Sequence, residues 1–391
     1  MAFGGGFGGF GSAAKAPAFG APAQNAFGGG GFGAAAGGGN LNPCNDVEVQ
    51  QPPSDGISSI AFTPVANQNL FAVTSWDKTV RCYDVAMGSK WDQKSNQNVQ
   101  APTAGTFKAQ IAHDAPVLDC AFSSTGQHVF SGGCDKMVKM WTLGQPQGVV
   151  IGQHQAPVKC VRWVANHNMV VTAGWDRLVK YWDPRTPGQP KAQVQLPERA
   201  YCMDVKNQLM VVGCANRQVC VFNLQNPGQI MKTLQSPLKH QTRCVGCFTT
   251  ADGFAIGSIE GRCGIQYVTQ TNKNFAFKCH RNTSANPKEI YAVNAIAFSP
   301  FGTFATVGAD GKFNFWDKDS KQRLKQFPAP PAKLPNPIPC CAFNSSGNVF
   351  AYASSYDWSK GVQHYQANNP QANKIFLHHT PPSEIQPKRR K

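Results

Sequence analysis

Acid is scarce in this chain of 391 residues. Asp and Glu number 21 against 37 Lys and Arg, and charged residues make up only 15%. The formal charge of +16 points to acidic partners, either nucleic acid or an acidic peptide. Long apolar runs are missing as well. No stretch approaches the ~18 residues of a membrane helix, so no membrane insertion is expected. The N-terminus lacks the basic-then-apolar order of a secretory signal. Catalytic patterns are missing too: there is no Walker A loop, HExxH, GxSxG or kinase signature set, and paired carboxylates are few. The expectation is a protein that is not an enzyme and has no cofactor. Cysteine itself is plentiful, at 14, but ordered spacing is not. Cys244-Val-Gly-Cys247 is the one CxxC, and residues i and i+3 of a strand face opposite ways. No metal site and no disulfide framework are expected, which suits a reducing compartment.

What is present is a repeat. Ser131–Trp141 (SGGCDKMVKMW) reads as two short strands around a tight turn, with Asp135 in the turn and Trp141 six residues later. The same offset joins Asp77 to Tyr83, Asp176 to Trp182, Asp310 to Trp316 and, more weakly, Asn216 to Phe222. Decayed copies surround Glu260 and Asp357. The successive anchors 77, 135, 176, 216, 260, 310 and 357 are 58, 41, 40, 44, 50 and 47 residues apart. A period of roughly 40–45 residues built from short strands resembles the blades of a WD40 propeller. The expected fold class is all-β: a seven-bladed WD40 β-propeller behind a disordered N-terminal Phe-Gly-rich tail.

Upstream of each turn stands an apolar column: Ile60, Cys120, Val161, Met203, Cys247, Ile296 and Cys341. Strand alternation turns it inward. A histidine precedes some blades, at His113, His154 and His240. Two four-residue networks are expected, His113–Ser131–Asp135–Trp141 and His154–Thr172–Asp176–Trp182. A Ser–His–Asp set repeated blade after blade satisfies buried polar groups and is scaffold, not a catalytic triad.

The domain reading has three parts. Residues 1–40 hold one charge, Lys15, and Phe-Gly pairs at Phe3, Phe7, Phe10, Phe19, Phe27 and Phe32. Such a segment buries too little to offset its ordering entropy. Its isolated Phe residues suit weak, exchangeable contacts with transport factors. Residues 41–366 form the propeller, with a strand at about 45–50 (DVEVQ) closing the last blade. Residues 367–391 are a C-terminal extension whose basic end, Lys388-Arg389-Arg390-Lys391, suits nuclear import or RNA contact. Lys90–Lys108 reads as a polar surface connection. Lys273–Lys288 carries Phe275, Phe277, Lys278, His280 and Arg281, which suit either base stacking from a loop or packing of an outer strand. A base follows nearly every anchor: Lys78, Lys136, Arg177, Arg217, Arg262, Lys312 and Lys360, with Arg243 nearby. These bases would circle one face of the ring.

Several runs are more specific than a generic blade: LPERAYCMDV, SPLKHQTRCV, GSIEGRCGIQY, FKCHR, EIYAVNAIAFSPFGTFATVGADGKFNFWDKD and FAYASSYDWSKG. With the Phe-Gly tail they resemble the GLE-two / RNA-export family of nuclear-pore mRNA export factors, over residues 41–391. The resemblance implies a non-enzymatic, monomeric propeller at the nuclear envelope, in the nucleus and shuttling to the cytoplasm. It implies binding to the GLEBS hairpin of a GLFG nucleoporin and to single-stranded or poly(A) RNA. It also implies a set of partner or RNA residues: Arg243, Phe275, Phe277, Lys278, Lys312, Trp316, Asp317, Lys318, Lys321 and Arg323. Two alternatives stand beside it, a mitotic-checkpoint GLEBS-binding propeller and a substrate-receptor scaffold of a ubiquitin ligase.

Overall fold

The computed structural model describes residues 42–92, 96–329, 334–365 and 372–388. The Phe-Gly-rich segment and all but Lys388 of the basic end lie outside them. Runs such as MVVTAG and LMVVGC are rich in branched side chains that fit a pleated, half-buried surface. Turns bound each run, so strands pair with their sequence neighbours. After β1 (Val47–Glu48), the first sheet holds β2 (Ile57–Phe62), β3 (Leu70–Ser75), β4 (Thr79–Asp92) and β5 (Gln97–Ala112). The second holds β6 (Val117–Phe122), β7 (His128–Gly133), β8 (Met137–Thr142) and β9 (Val149–Gln153). The third holds β10 (Val158–Val164), β11 (Met169–Gly174), β12 (Leu178–Trp182) and β13 (Ala192–Gln195). The fourth holds β14 (Ala200–Lys206), β15 (Leu209–Cys214), β16 (Gln218–Asn223) and β17 (Lys232–Gln235). The fifth holds β18 (Thr242–Cys247), β19 (Gly253–Ser258), β20 (Arg262–Tyr267) and β21 (Phe275–Lys278). A two-stranded insert follows, β22 (Arg281–Asn282) and β23 (Glu289–Ile290). The sixth sheet holds β24 (Val293–Phe298), β25 (Phe304–Gly308), β26 (Phe313–Asp317) and β27 (Gln322–Phe327). The seventh joins β28 (Cys341–Phe343), β29 (Val349–Ser354) and β30 (Lys374–His379) to β1. The short helix α1 (Pro382–Ile385) follows.

This is the seven-bladed propeller expected. Two details differ from the sequence reading, and a third decides between its alternatives. Residues 374–379 are the third strand of the seventh blade, not part of an extension. In sequence that strand begins 17 residues after Asp357, far beyond the usual spacing, which hides it. The segment around Lys90–Lys108 is the distal part of one long hairpin, β4–β5, whose ladder runs from Thr79↔Ala112 to Asp92↔Gln97. Its polar sequence reflects exposure on both faces beyond the blade. Third, Phe275–Lys278 is an outer strand paired with β20, so the loop alternative falls away.

Five of the seven residues of the apolar column border the central cavity, while Val161 and Met203 pack within the blades and Arg162 and Asp204 border it in their place. Ile60, Cys120, Cys247, Ile296 and Cys341 border a cavity of about 590 Å³. A charge relay crosses the innermost strands of five blades. Ser59 Oγ donates to Asp119 Oδ1 at 2.8 Å, and Arg162 Nη1 to Asp119 Oδ2 at 2.6 Å. Arg162 Nε lies 3.5 Å from Asp204 Oδ1, and Asp204 Oδ2 accepts the Cys247 N–H at 2.7 Å. Burial pushes the Asp204 carboxyl up, and Arg162 opposes it.

Ring closure joins residues 47–48 to residues 374–379. Val47 pairs with Leu377 and Glu48 with Phe376. Beside them, His378 Nδ1 lies 2.7 Å from Asp46 Oδ1 and its Nε2 3.3 Å from Glu384 Oε2. Tyr352 Oη donates to Asp46 at 2.8 Å, and Lys325 Nζ to Glu384 at 2.5 Å. Burial alone would push His378 down, but its two carboxylate partners raise it to about 9.

Candidate partner-binding faces

The repeat anchors act as turn locks. Asp77, Asp135, Asp176, Asp310 and Asp357 each accept the N–H two residues on, at 3.0–3.3 Å. The residue between takes a left-handed backbone: φ is 71° at Lys78, 69° at Lys136, 63° at Arg177, 59° at Arg217 and 62° at Trp358. Gly261 and Gly311 fill the remaining two turns, where a Cβ would sit 2.7 Å from Cys279 O and 2.6 Å from Leu334 O. In those turns the base moves one position on, to Arg262 and Lys312.

Three blades carry the histidine network, and not the set the sequence suggests. His154 reaches Asp176 at 2.9 Å and Thr172 Oγ1 at 2.8 Å, and Trp182 Nε1 donates to that same Oγ1 at 2.7 Å. His113 reaches Asp135 at 2.7 Å and Ser131 at 2.8 Å, but Trp141 donates instead to Gln145 O at 2.9 Å. The third network is His280–Thr306–Asp310–Trp316, with Thr306 Oγ1 2.9 Å from both His280 and Trp316. Its histidine stands 26 residues before its threonine instead of 18, because the β22–β23 insert lies between. His240 joins no such network. Its side chain is 55% exposed and lies 3.8 Å from Glu260.

All anchor turns lie at one end of the sheets, the anchor face, with the starts of the innermost strands. Six of those strands show a register shift at the same place, around Ser58, Leu118, Lys159, Tyr201, Arg243 and Asn294. A bulge there re-aims one side chain in each of these strands: Leu118 and Asn294 stay buried, and Ser58 Oγ donates to Val117 O of the next blade at 2.6 Å. Arg243 is exposed, and Lys159 and Tyr201 are half-exposed. Apolar groups interleave with the bases: Trp76 is 37% exposed, Trp175 40% and Ile259 41%. Trp358 stacks on Tyr365 at 4.8 Å and packs on Trp76 at 5.8 Å. Sequence reading missed Lys159, Tyr201 and these tryptophans. The signal for Trp76 and Trp175 is their fixed place just before the anchor Asp.

The residues implied by resemblance divide between two ends. Arg243, Lys278 and Lys312 belong to the anchor face. The β26–β27 turn lies at the opposite end of its sheet and carries Asp317, Lys318, Lys321 and Arg323. There Phe277 packs on Trp316 at 4.5 Å, and Lys321 Nζ lies 5.0 Å over the Phe275 ring. Lys318 is buried over Phe248 at 5.0 Å and bonded to Asp319 at 2.9 Å. Asp317 is buried. Burial pushes its carboxyl up, yet hydrogen bonds from Ser320, Asp319 and Lys388 hold it below the ordinary value. Arg323 is exposed and donates to Gln326 at 2.7 Å. Phe275, Phe277 and Trp316 are half-buried between the fifth and sixth blades, so their rings are inter-blade packing first.

Among the described residues no cluster of metal-ligating side chains occurs, and no helix is long and apolar enough to cross a membrane. The model of the WD domain, G-beta repeat, matches residues 47–84, 105–142, 144–183 and 277–317. The chain is 45% identical over 353 residues to the "Poly(A)+ RNA export protein" of Schizosaccharomyces pombe, covering 88% of this chain and 94% of that one. It is 46% identical over 352 residues to the "mRNA export factor GLE2" of Chaetomium thermophilum, covering 88% and 93%. It is 46% identical over 357 residues to "Protein RAE1" of Arabidopsis thaliana, covering 90% and 95%. A seven-bladed ring of WD repeats, matched to these relatives over nearly its whole length, belongs to the mRNA export factor family, a non-enzymatic group of WD-repeat propellers.

Proposed function

We propose that this chain is a nuclear-pore adaptor in mRNA export, whose anchor face holds the acidic GLEBS hairpin of a GLFG nucleoporin. The observation that carries the reading is the collar of cations there. Lys78, Lys136 and Arg177 are held in left-handed turns, and Arg243 and Lys159 stand at bulges, with apolar Trp76 and Trp175 between them. Charge speeds encounter with an acidic segment, and the partly exposed aromatics set the lifetime of the complex. Single-stranded RNA fits the opposite end, where Lys321 and Arg323 offer phosphate contacts beside Phe275. Calorimetry with a GLEBS peptide at two salt concentrations tests the first part. Tight binding that weakens with salt is expected, and the folded Arg243→Glu/Lys312→Glu variant should lose it. Unchanged affinity in that variant would place the peptide elsewhere. RNA affinity should fall steeply as salt rises, with a log–log slope set by the phosphates neutralised.

A further inference from the structure

We propose that the fifth blade's anchor turn is a phosphate-binding site for a phosphorylated Ser or Thr in an acidic partner segment, built from His240, Arg262, Arg281 and Lys278. The proposal deepens the adaptor reading and rests on it for the partner's acidity.

The fifth blade breaks the repeat. Its anchor is Glu260, one methylene longer than Asp, and no buried histidine serves it. Three basic groups converge on that carboxylate instead. Arg262 Nε lies 3.3 Å from Oε1, Arg281 Nη2 3.4 Å from the same oxygen, and His240 Nε2 3.8 Å from Oε2. Oε2 is buried and has no hydrogen-bond partner. Arg281 is fixed in place, donating to Glu260 O at 2.6 Å and Gly261 O at 3.1 Å. Lys278 stands directly opposite Arg262 in the sheet and is exposed. Arg243 lies on the neighbouring innermost strand, one residue past the Thr242↔Ser258 pair.

One carboxylate therefore underfills a cluster of cations. A carboxylate offers two oxygens and one negative charge. A phosphoryl group offers three acceptor oxygens and a charge of about −1.5 to −2 near pH 7. Arg262, which makes one contact to Glu260, can present paired N–H groups to it, while the Glu260 and Gly261 carbonyls hold Arg281 beside it. Glu260 then acts as a resident competitor, keeping the bases positioned when no ligand is bound. The flanks favour a peptide over RNA. Ile259 and Ile290 are 41% and 48% exposed beside the cluster, and they suit aliphatic neighbours of a phosphoresidue rather than stacked bases.

The test uses the full chain and bead-bound peptide libraries with acidic and aliphatic flanks and a fixed central phosphothreonine or threonine. Retention by the phosphothreonine library should exceed that by the threonine library by at least about tenfold. Arg262→Gln/Lys278→Gln, which spares the more buried Arg281, should erase the preference. Glu260→Gln should strengthen it. Equal retention by both libraries, or retention by neither, overturns the phosphate site. GLEBS-peptide binding measured on the same samples reports separately on the adaptor reading. If the double variant instead loses only an oligo(A) probe while the libraries show no preference, these bases serve RNA and the proposal fails.

Discussion

At the scale of single residues, a side chain's worth depends on how many partners it leaves stranded. Thr172 Oγ1 serves both His154 and Trp182, whereas Ser131 serves only His113. Replacing Thr172 by Val leaves two buried donors or acceptors unmet, at about 1–3 kcal/mol each. Ser131→Ala leaves one. Urea denaturation should therefore find Thr172→Val the more destabilising, and equal losses would count against the shared hydroxyl. Arg162 is a sharper case. Arg162→Met removes the cation that Asp119 and Asp204 share, while Ser59 and the Cys247 N–H still donate to them, and losing charged hydrogen bonds at this partly buried site costs about 1.5–3 kcal/mol. A loss under about 1 kcal/mol would mean that water in the channel already screens both carboxylates.

At the scale of elements, the last blade is the informative one. Its outer strand is only two residues long, yet it joins the two ends of the described ring. Deleting residues 41–52 should lower the melting temperature sharply. The His378 cluster adds a pH dependence with a definite sign. Its folded pKa, about 9, lies above the ordinary 6.5, so its contribution is full below 6.5 and is lost as pH rises through 9. Glu384 is pushed up by burial but held below its ordinary 4.5 by His378 and Lys325, so its share is lost at the acid end instead. Melting scans from pH 7 to pH 10 should show a fall that the His378→Gln variant lacks. A parallel fall in both proteins would place the titration elsewhere.

Elements also show why parts of the fold were hard to read. The Asp-to-aromatic offset spans one turn and half a strand, so it survives wherever nothing is inserted. The β22–β23 insert pushed His280 away from Thr306, and the 17-residue spacing after Asp357 displaced β30. In both places local spacing failed while the contact in space was kept. Phe275 and Phe277 are ambiguous for another reason. Alternating aromatics beside bases describe a stacking loop and an outer strand equally well, and only pairing with β20 separates them.

At the scale of the whole molecule, the two ends of the ring differ in character. The anchor face collects bases because one left-handed turn geometry, repeated around the ring, is followed or filled by Lys or Arg in six blades and by Trp358, with Lys360 two residues on, in the seventh. The other end offers lysines laid over half-buried rings. On the adaptor reading proposed above, an acidic hairpin and an RNA strand take opposite ends of the ring. Saturating GLEBS peptide should leave oligo(A) affinity within about twofold, and strict competition would put both ligands on one face.

The sequence by itself determined the repeat and the seven blades, because turn locks and strand alternation act over a few residues. It also determined the excess of positive charge. Tertiary structure decided where that charge gathers and which histidine meets which threonine. It decided that Glu260 stands among three bases and that residues 47–48 and 374–379 share a sheet. Those outcomes depend on partners brought together by ring closure across tens to hundreds of residues, and no local spacing encodes them.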